Sequence, residues 1–177
     1  MKQSIIVISV CVALLVTLET KAQTVSADNK VSESITFRDM PKGKNVYGIF
    51  EGRTPCEQIS KLLGATLPSD LDHLKWQVIF YQDPVTGKPT TFSLTTEMFD
   101  RRLLTGKWNL AHGAKGKATA TLIALNCENP AKKINLRKGD ENVLFILDEN
   151  LDFMTGNADF GYTLNRVNKV RHLLENK

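Results

Sequence analysis

The run Leu74-Lys75-Trp76-Gln77-Val78-Ile79-Phe80-Tyr81-Gln82, the turn Asp83-Pro84-Val85-Thr86-Gly87 and the run Thr90-Thr91-Phe92-Ser93-Leu94-Thr95-Thr96 decide the fold. Both runs are rich in β-branched and aromatic residues, which suit a pleated, half-buried surface. In each, large apolar residues recur at every second position: Trp76, Val78 and Phe80 in the first, Phe92 and Leu94 in the second. Asp, Pro and Gly between them supply tight-turn dihedrals. Two strands so close in sequence must be antiparallel neighbours.

The same grammar continues in both directions. Val46 to Arg53 precedes the hairpin; Leu103 to Ala111, Thr119 to Asn126, Lys133 to Arg137, Val143 to Leu147 and Gly161 to Val167 follow it, with a short piece at Leu151 to Met154. Turn material separates them, as in His112-Gly113-Ala114-Lys115-Gly116, Glu128-Asn129-Pro130, Lys138-Gly139-Asp140 and Asp148-Glu149-Asn150. About eight sequential strands predict an all-β fold, an antiparallel up-and-down β-barrel whose closure removes exposed edges. A sandwich is the alternative. Phe80, Phe92, Leu122 and Phe145 are the inward candidates, large enough to fill so small a barrel. In a carrier, Trp76, Val78 and Phe80 would instead line an apolar cavity, and Trp108 would join them.

One short helix interrupts the strands. Thr54-Pro55-Cys56-Glu57 reads as a capping box, with Thr at the N-cap, Pro in the first helical position and Glu three residues after the cap. Ile59, Leu62 and Leu63 form its apolar face and Gly64 ends it, so the helix should cover one end of the barrel.

Composition narrows the class. The chain has 177 residues, 42% apolar and 24% charged, which suits a single globular domain and rules out global disorder, collagen and a disulfide-rich mini-protein. A net charge of +4 is too weak an excess to imply nucleic acid, and Lys115-Gly116-Lys117 and Lys132-Lys133 lack interleaved aromatics. Met1-Lys2, the apolar run Ile5 to Leu18 and Thr20-Lys21-Ala22 read as a signal peptide cut before Gln23; the run is too short for a transmembrane segment. Cys11 lies inside that run behind Val10, so no lipid anchor is expected. The division is thus signal peptide 1–22, polar N-terminal arm 23–45, barrel domain 46–167 and basic C-terminal tail 168–177, with a helical turn around Val170, Leu173 and Leu174. The expected location is the periplasm or beyond.

Export leaves Cys56 and Cys127, for which an oxidising compartment makes a disulfide the expected fate. Cys56 falls in the first helical turn, where unpaired backbone N–H groups favour a thiolate, so a reactive thiol or soft-metal ligand competes with the bridge. Catalysis by Cys56 would require a base such as His73 or His112 and a third orienting group, an arrangement without a signature here. The copper inventory is thin: Met40, Met98, Met154, His73, His112 and His172 join the cysteines, with no Met-x-Met or His-x-His spacing. The acidic groups Asp70, Asp72, Asp148, Glu149 and Asp152 flank turns and lack a calcium-loop pattern. No cofactor is expected.

Val46-Tyr47-Gly48-Ile49-Phe50-Glu51-Gly52-Arg53-Thr54-Pro55-Cys56 resembles the opening strand and Pro-Cys turn of the NlpE N-terminal domain, a family of envelope lipoproteins linked to copper resistance. Gly106-Lys107-Trp108, Asn142-Val143-Leu144-Phe145-Ile146-Leu147-Asp148 and Phe160-Gly161-Tyr162-Thr163-Leu164 resemble its later strands in the same order, so the resemblance covers residues 46–167. It implies a lipocalin-like barrel, no enzymatic activity, and a role in copper tolerance or envelope-stress sensing with an envelope protein as partner. A carrier of a small apolar ligand is the alternative. Ile59 stands where the family's Cys-x-x-Cys would place its second cysteine, so the resemblance carries no dithiol switch, and without a lipid-attachment cysteine it carries no membrane anchor.

Overall fold

The computed structural model describes residues 32–36, 38, 40–64, 66–97, 102–114, 117–128 and 133–170. The expected signal peptide, the arm before residue 32, Met98, His172 and the tail beyond residue 170 lie outside them. In chain order the elements are β1 (Ser32–Ser34), β2 (Val46–Pro55), α1 (Cys56–Leu63), β3 (His73–Gln82), β4 (Pro89–Glu97), β5 (Arg102–Ala114), β6 (Lys117–Cys127), β7 (Lys133–Lys138), β8 (Val143–Leu147) and β9 (Thr163–Val170).

From β2 to β9 each strand pairs antiparallel with the next, and β9 pairs with β2 as well as β8. The ladder therefore closes into an eight-stranded antiparallel barrel, and the sandwich alternative falls. Ile49 opposite Val167 marks the closing register. Leu151 to Met154 contributes only an isolated bridge, Phe153 opposite Leu147. β9 runs through Val170, past the expected end of the barrel domain at residue 167.

Period-two alternation places the core. Phe50, Trp76, Val78, Phe80, Phe92, Leu94, Ile123, Leu125, Leu136 and Leu144 belong to one cluster of buried side chains in the interior. The expected Phe80 and Phe92 point in, but Leu122 and Phe145 do not. On β6 and β8 the inward set is Ile123 and Leu125 with Leu144 and Ile146, so their immediate neighbours take the opposite face. Phe145 packs edge-on against Phe153, with ring centroids 5.3 Å apart. In runs such as Leu122-Ile123-Ala124-Leu125 every residue is apolar, and hydropathy alone does not settle the parity.

α1 covers the barrel as expected, with Ile59 and Leu63 buried in the core cluster. Gly64 ends it in the left-handed region at φ 56° and donates its N–H to Lys61 O and Ser60 O. Its start differs from the expected capping box. The N-cap is Pro55 and no side chain caps the helix. Thr54 is instead fully buried in β2, and its hydroxyl accepts a hydrogen bond from Trp76 Nε1 at 2.9 Å.

The N-terminal arm also departs from expectation. Within the stretch read as an exposed polar arm over 23–45, β1 pairs parallel with β9, and Ser34 and Thr36 are buried. Their hydroxyls serve a carboxylate on the barrel wall, a use to which hydropathy is blind.

Candidate functional site

The helix-covered end of the barrel gathers the residues with chemical potential. Cys56 begins α1, Pro55 just before it pairs with His73 at the start of β3, and Asp72 precedes His73. An open cleft of about 670 Å³ lies beside them, lined by Cys56, Glu57, Ser60, Lys61, Leu67 and Leu71. His73 Nδ1 lies 2.7 Å from Asp72 Oδ1, and the imidazole stacks on Phe160 with centroids 4.6 Å apart. Tyr162 is buried nearby; desolvation pushes its hydroxyl above the ordinary phenol value, outweighing a hydrogen bond with the Gln58 backbone that pulls it down.

Electrostatics at Cys56 run against the expectation from helix position. Partial burial pushes the thiol above its ordinary value, and the Asp72 charge pushes it the same way. A one-turn lead of backbone N–H groups does not overcome the loss of water plus a nearby anion. Both causes favour the neutral thiol over the thiolate that nucleophilic attack requires. Iodoacetamide labelling of Cys56 should proceed slowly at pH 7 and accelerate only above the range of an ordinary thiol. Asp72→Asn, which removes the second cause, should move that profile toward lower pH; an unmoved profile would refute the assignment of Asp72.

Cys127 sits at the end of β6 opposite Gly106, with its side chain in the core. No disulfide joins it to Cys56. The expected bridge rested on the oxidising compartment and on the stability gained by closing the intervening chain, whereas position here is set by the β5–β6 ladder for one cysteine and by the first turn of α1 for the other. His112 is exposed near the tip of the β5–β6 hairpin, at the end of the barrel opposite Cys56 and His73. Met154 packs against the core and Met40 against the outer wall. Among the described residues no three of His, Cys, Asp and Glu form a group able to hold a metal ion.

A second arrangement lies on the outer wall. Phe50 points inward, so Glu51 points outward, yet it is only 2% exposed. Ser34 Oγ donates to both carboxylate oxygens at 2.9 Å, Ile35 N–H to Oε2 at 2.7 Å, Thr36 N–H to Oε2 at 3.2 Å, and Thr36 Oγ1 to Oε1 at 2.8 Å. From the barrel itself Gln77 Nε2 donates to Oε1 at 2.8 Å. Hydrogen bonds from neutral donors satisfy the buried anion, the condition on which burying such a charge is tolerable. Beside it, Ile49, Ile79 and Val167 form an apolar outer cluster on which Met40 packs.

No family model matches the chain, and no curated protein or solved structure matches it. The fold and the two arrangements described above are thus the basis for a functional reading. Sequence reasoning placed Cys56 in the first helical turn and named His73 only as one of two possible bases; it missed Ser34, Thr36, Glu51 and Gln77. The one available signal was an acidic residue in the middle of an apolar strand, Ile49-Phe50-Glu51-Gly52, which alternation assigns to solvent and only a covering segment can bury.

Proposed function

We propose that this chain is a non-enzymatic, exported envelope protein, resembling the NlpE N-terminal domain, that works in copper tolerance or envelope-stress sensing by presenting its outer surface to a protein partner. The observation that carries this reading is the filling of the barrel: Phe50, Trp76, Phe80, Phe92, Leu94 and Ile123 are each at most 1% exposed and meet in the interior. Rings are in direct contact there, Phe80 lying 5.7 Å from Phe50 and 5.0 Å from Trp108 between centroids. A carrier needs that space for its cargo. A neutral Cys56 thiol and a His73 already engaged by Asp72 favour recognition over covalent chemistry.

Fluorescent fatty acids and anilinonaphthalene sulfonate should therefore fail to bind with micromolar affinity. Saturable micromolar binding, displaced competitively by unlabelled fatty acid, would overturn the reading and make the chain a carrier. Native mass spectrometry of material isolated from the envelope supplies the direct test, since a bound partner, lipid or metal each adds a distinct mass.

A further inference from the structure

Glu51 is served mainly by one short segment of the chain, and that segment sits on a wall with two other features. Residues 167–170 of β9 pair with β1 through the backbone. Glu51 reads two hydroxyls two residues apart, Ser34 and Thr36, together with the amides of Ile35 and Thr36. Beyond them Met40 covers the apolar cluster Ile49, Ile79 and Val167. Backbone pairing, paired hydroxyl readout and an apolar anchor are the elements by which a sheet edge recognises an extended peptide.

We propose that this outer wall is a docking site for an extended segment of a partner protein, bearing Ser or Thr at alternate positions and an apolar residue four positions further on, and that Ser32 to Thr36 together with Met40 of this chain occupy the site as a displaceable stand-in. The proposal rests on the surface-acting reading above and names the surface.

Displaceability follows from the chemistry of the contact. If a buried carboxylate loses its donors while it stays enclosed, it is left without solvation, and the loss is severe. Here the donors other than Gln77 belong to the cover itself. When the cover lifts, water reaches Glu51 and replaces Ser34, Thr36 and the two amides. β1 is only three residues long, too short a ladder to hold the segment as firmly as the barrel holds its own strands. Once lifted, it leaves an unpaired stretch of β9 and three aliphatic side chains facing solvent, a surface that invites a competing strand.

Two measurements on the full chain test this. Native-state hydrogen exchange should show the amides of Ile35 and Thr36 opening at least about a hundredfold more readily than those of Val78 and Phe80. Exchange of Ile35 and Thr36 only together with Val78 and Phe80 would overturn the proposal, because the segment would then be an integral part of the barrel. In the second, Ser34→Ala with Thr36→Ala weakens the resident segment and leaves Glu51 in place. A synthetic peptide of residues 31–40 should bind that variant, a peptide with alanine at both hydroxyl positions at least about tenfold more weakly, and adding Glu51→Gln to the protein should erase the difference. If the double variant keeps its circular dichroism and takes up no peptide at millimolar concentration, the proposal fails; if it does not fold, the exchange result on the unaltered chain decides. A concentration-dependent dimer with exchanged arms would overturn the partner assignment in favour of a second copy. Micromolar fatty-acid binding would refute the surface-acting reading without changing either measurement, so the two failures are separable.

Discussion

Gly106→Ala should cost this protein at least the upper part of the roughly 1–3 kcal/mol typical of overpacking, enough to leave much of it unfolded at moderate urea. A Cβ at Gly106 would lie 2.0 Å from Asn126 O and 2.9 Å from Cys127 Cα. Both obstacles are backbone of β6, directly across the ladder, so no side chain can rotate out of the way. The two strands must part, and with them the wall that carries Trp108 and Leu125 into the core. Gly52 faces the same obstacle from Thr163 O at 2.2 Å, beside the seam between β2 and β9. Gly87→Ala is the matched control. It has open space and a left-handed φ of 67°, so its cost should stay near the roughly 1–2 kcal/mol of forcing Ala into that conformation. Urea midpoints on Gly106→Ala, Gly52→Ala and Gly87→Ala give the order; a Gly106→Ala midpoint no lower than that of Gly87→Ala would show that the strands are not in this contact.

Trp76→Ala should be comparably damaging, by two separable routes. Trp76 is fully buried, and truncating so large a side chain removes about 3–5 kcal/mol through lost burial and the cavity left behind. Its indole N–H is also the donor to the Thr54 hydroxyl, which is itself fully buried. Losing the donor strands a polar group at about 1–3 kcal/mol more. Against the roughly 5–15 kcal/mol of a typical domain, the sum removes much of the margin. Trp76→Phe keeps an aromatic ring and deletes the N–H, so it loses the donor together with only part of the burial. Adding Thr54→Val to Trp76→Phe should then recover stability relative to Trp76→Phe alone, measured by denaturant unfolding. A strictly additive double variant would mean that the indole and the hydroxyl are not coupled.

Strands and turns were legible because this chain writes them in local chemistry. Asp83-Pro84-Val85-Thr86-Gly87 sets its own dihedrals, and Asp83 accepts hydrogen bonds from the Val85 and Thr86 amides within the turn. Trp76, Val78 and Phe80 on alternate positions leave a single face for the core. Legibility ends where a residue's role depends on what crosses over it from elsewhere. Thr54 looked like a helix cap because its sequence neighbours suit one, yet Trp76, brought across by the β2–β3 pairing, claims the hydroxyl. Glu51 drew no attention as a site residue, because strand alternation points it outward and nothing near it in sequence announces a cover from residues 32–36. Phe145 and Leu122 failed for a third reason: in an unbroken apolar run, a shift of one residue exchanges the faces at no cost in pattern. Candidate chemistry at Cys56 was legible as a position but not as a charge state, since the burial and the Asp72 anion that hold it neutral come from the folded surroundings.

The seam at Ile49 and Val167 also bears on how the chain must be assembled in time. β2 is the first barrel strand and β9 the last, so their ladder joins residues more than a hundred positions apart, the kind of contact that carries a large loop-closure cost and slows folding. The covering segment waits as well, because its β1 partner is again β9. A chain emerging N-terminus first during synthesis can build every neighbouring hairpin as it appears, yet until β9 arrives β2 and β8 both present raw edges to whatever other strands are at hand.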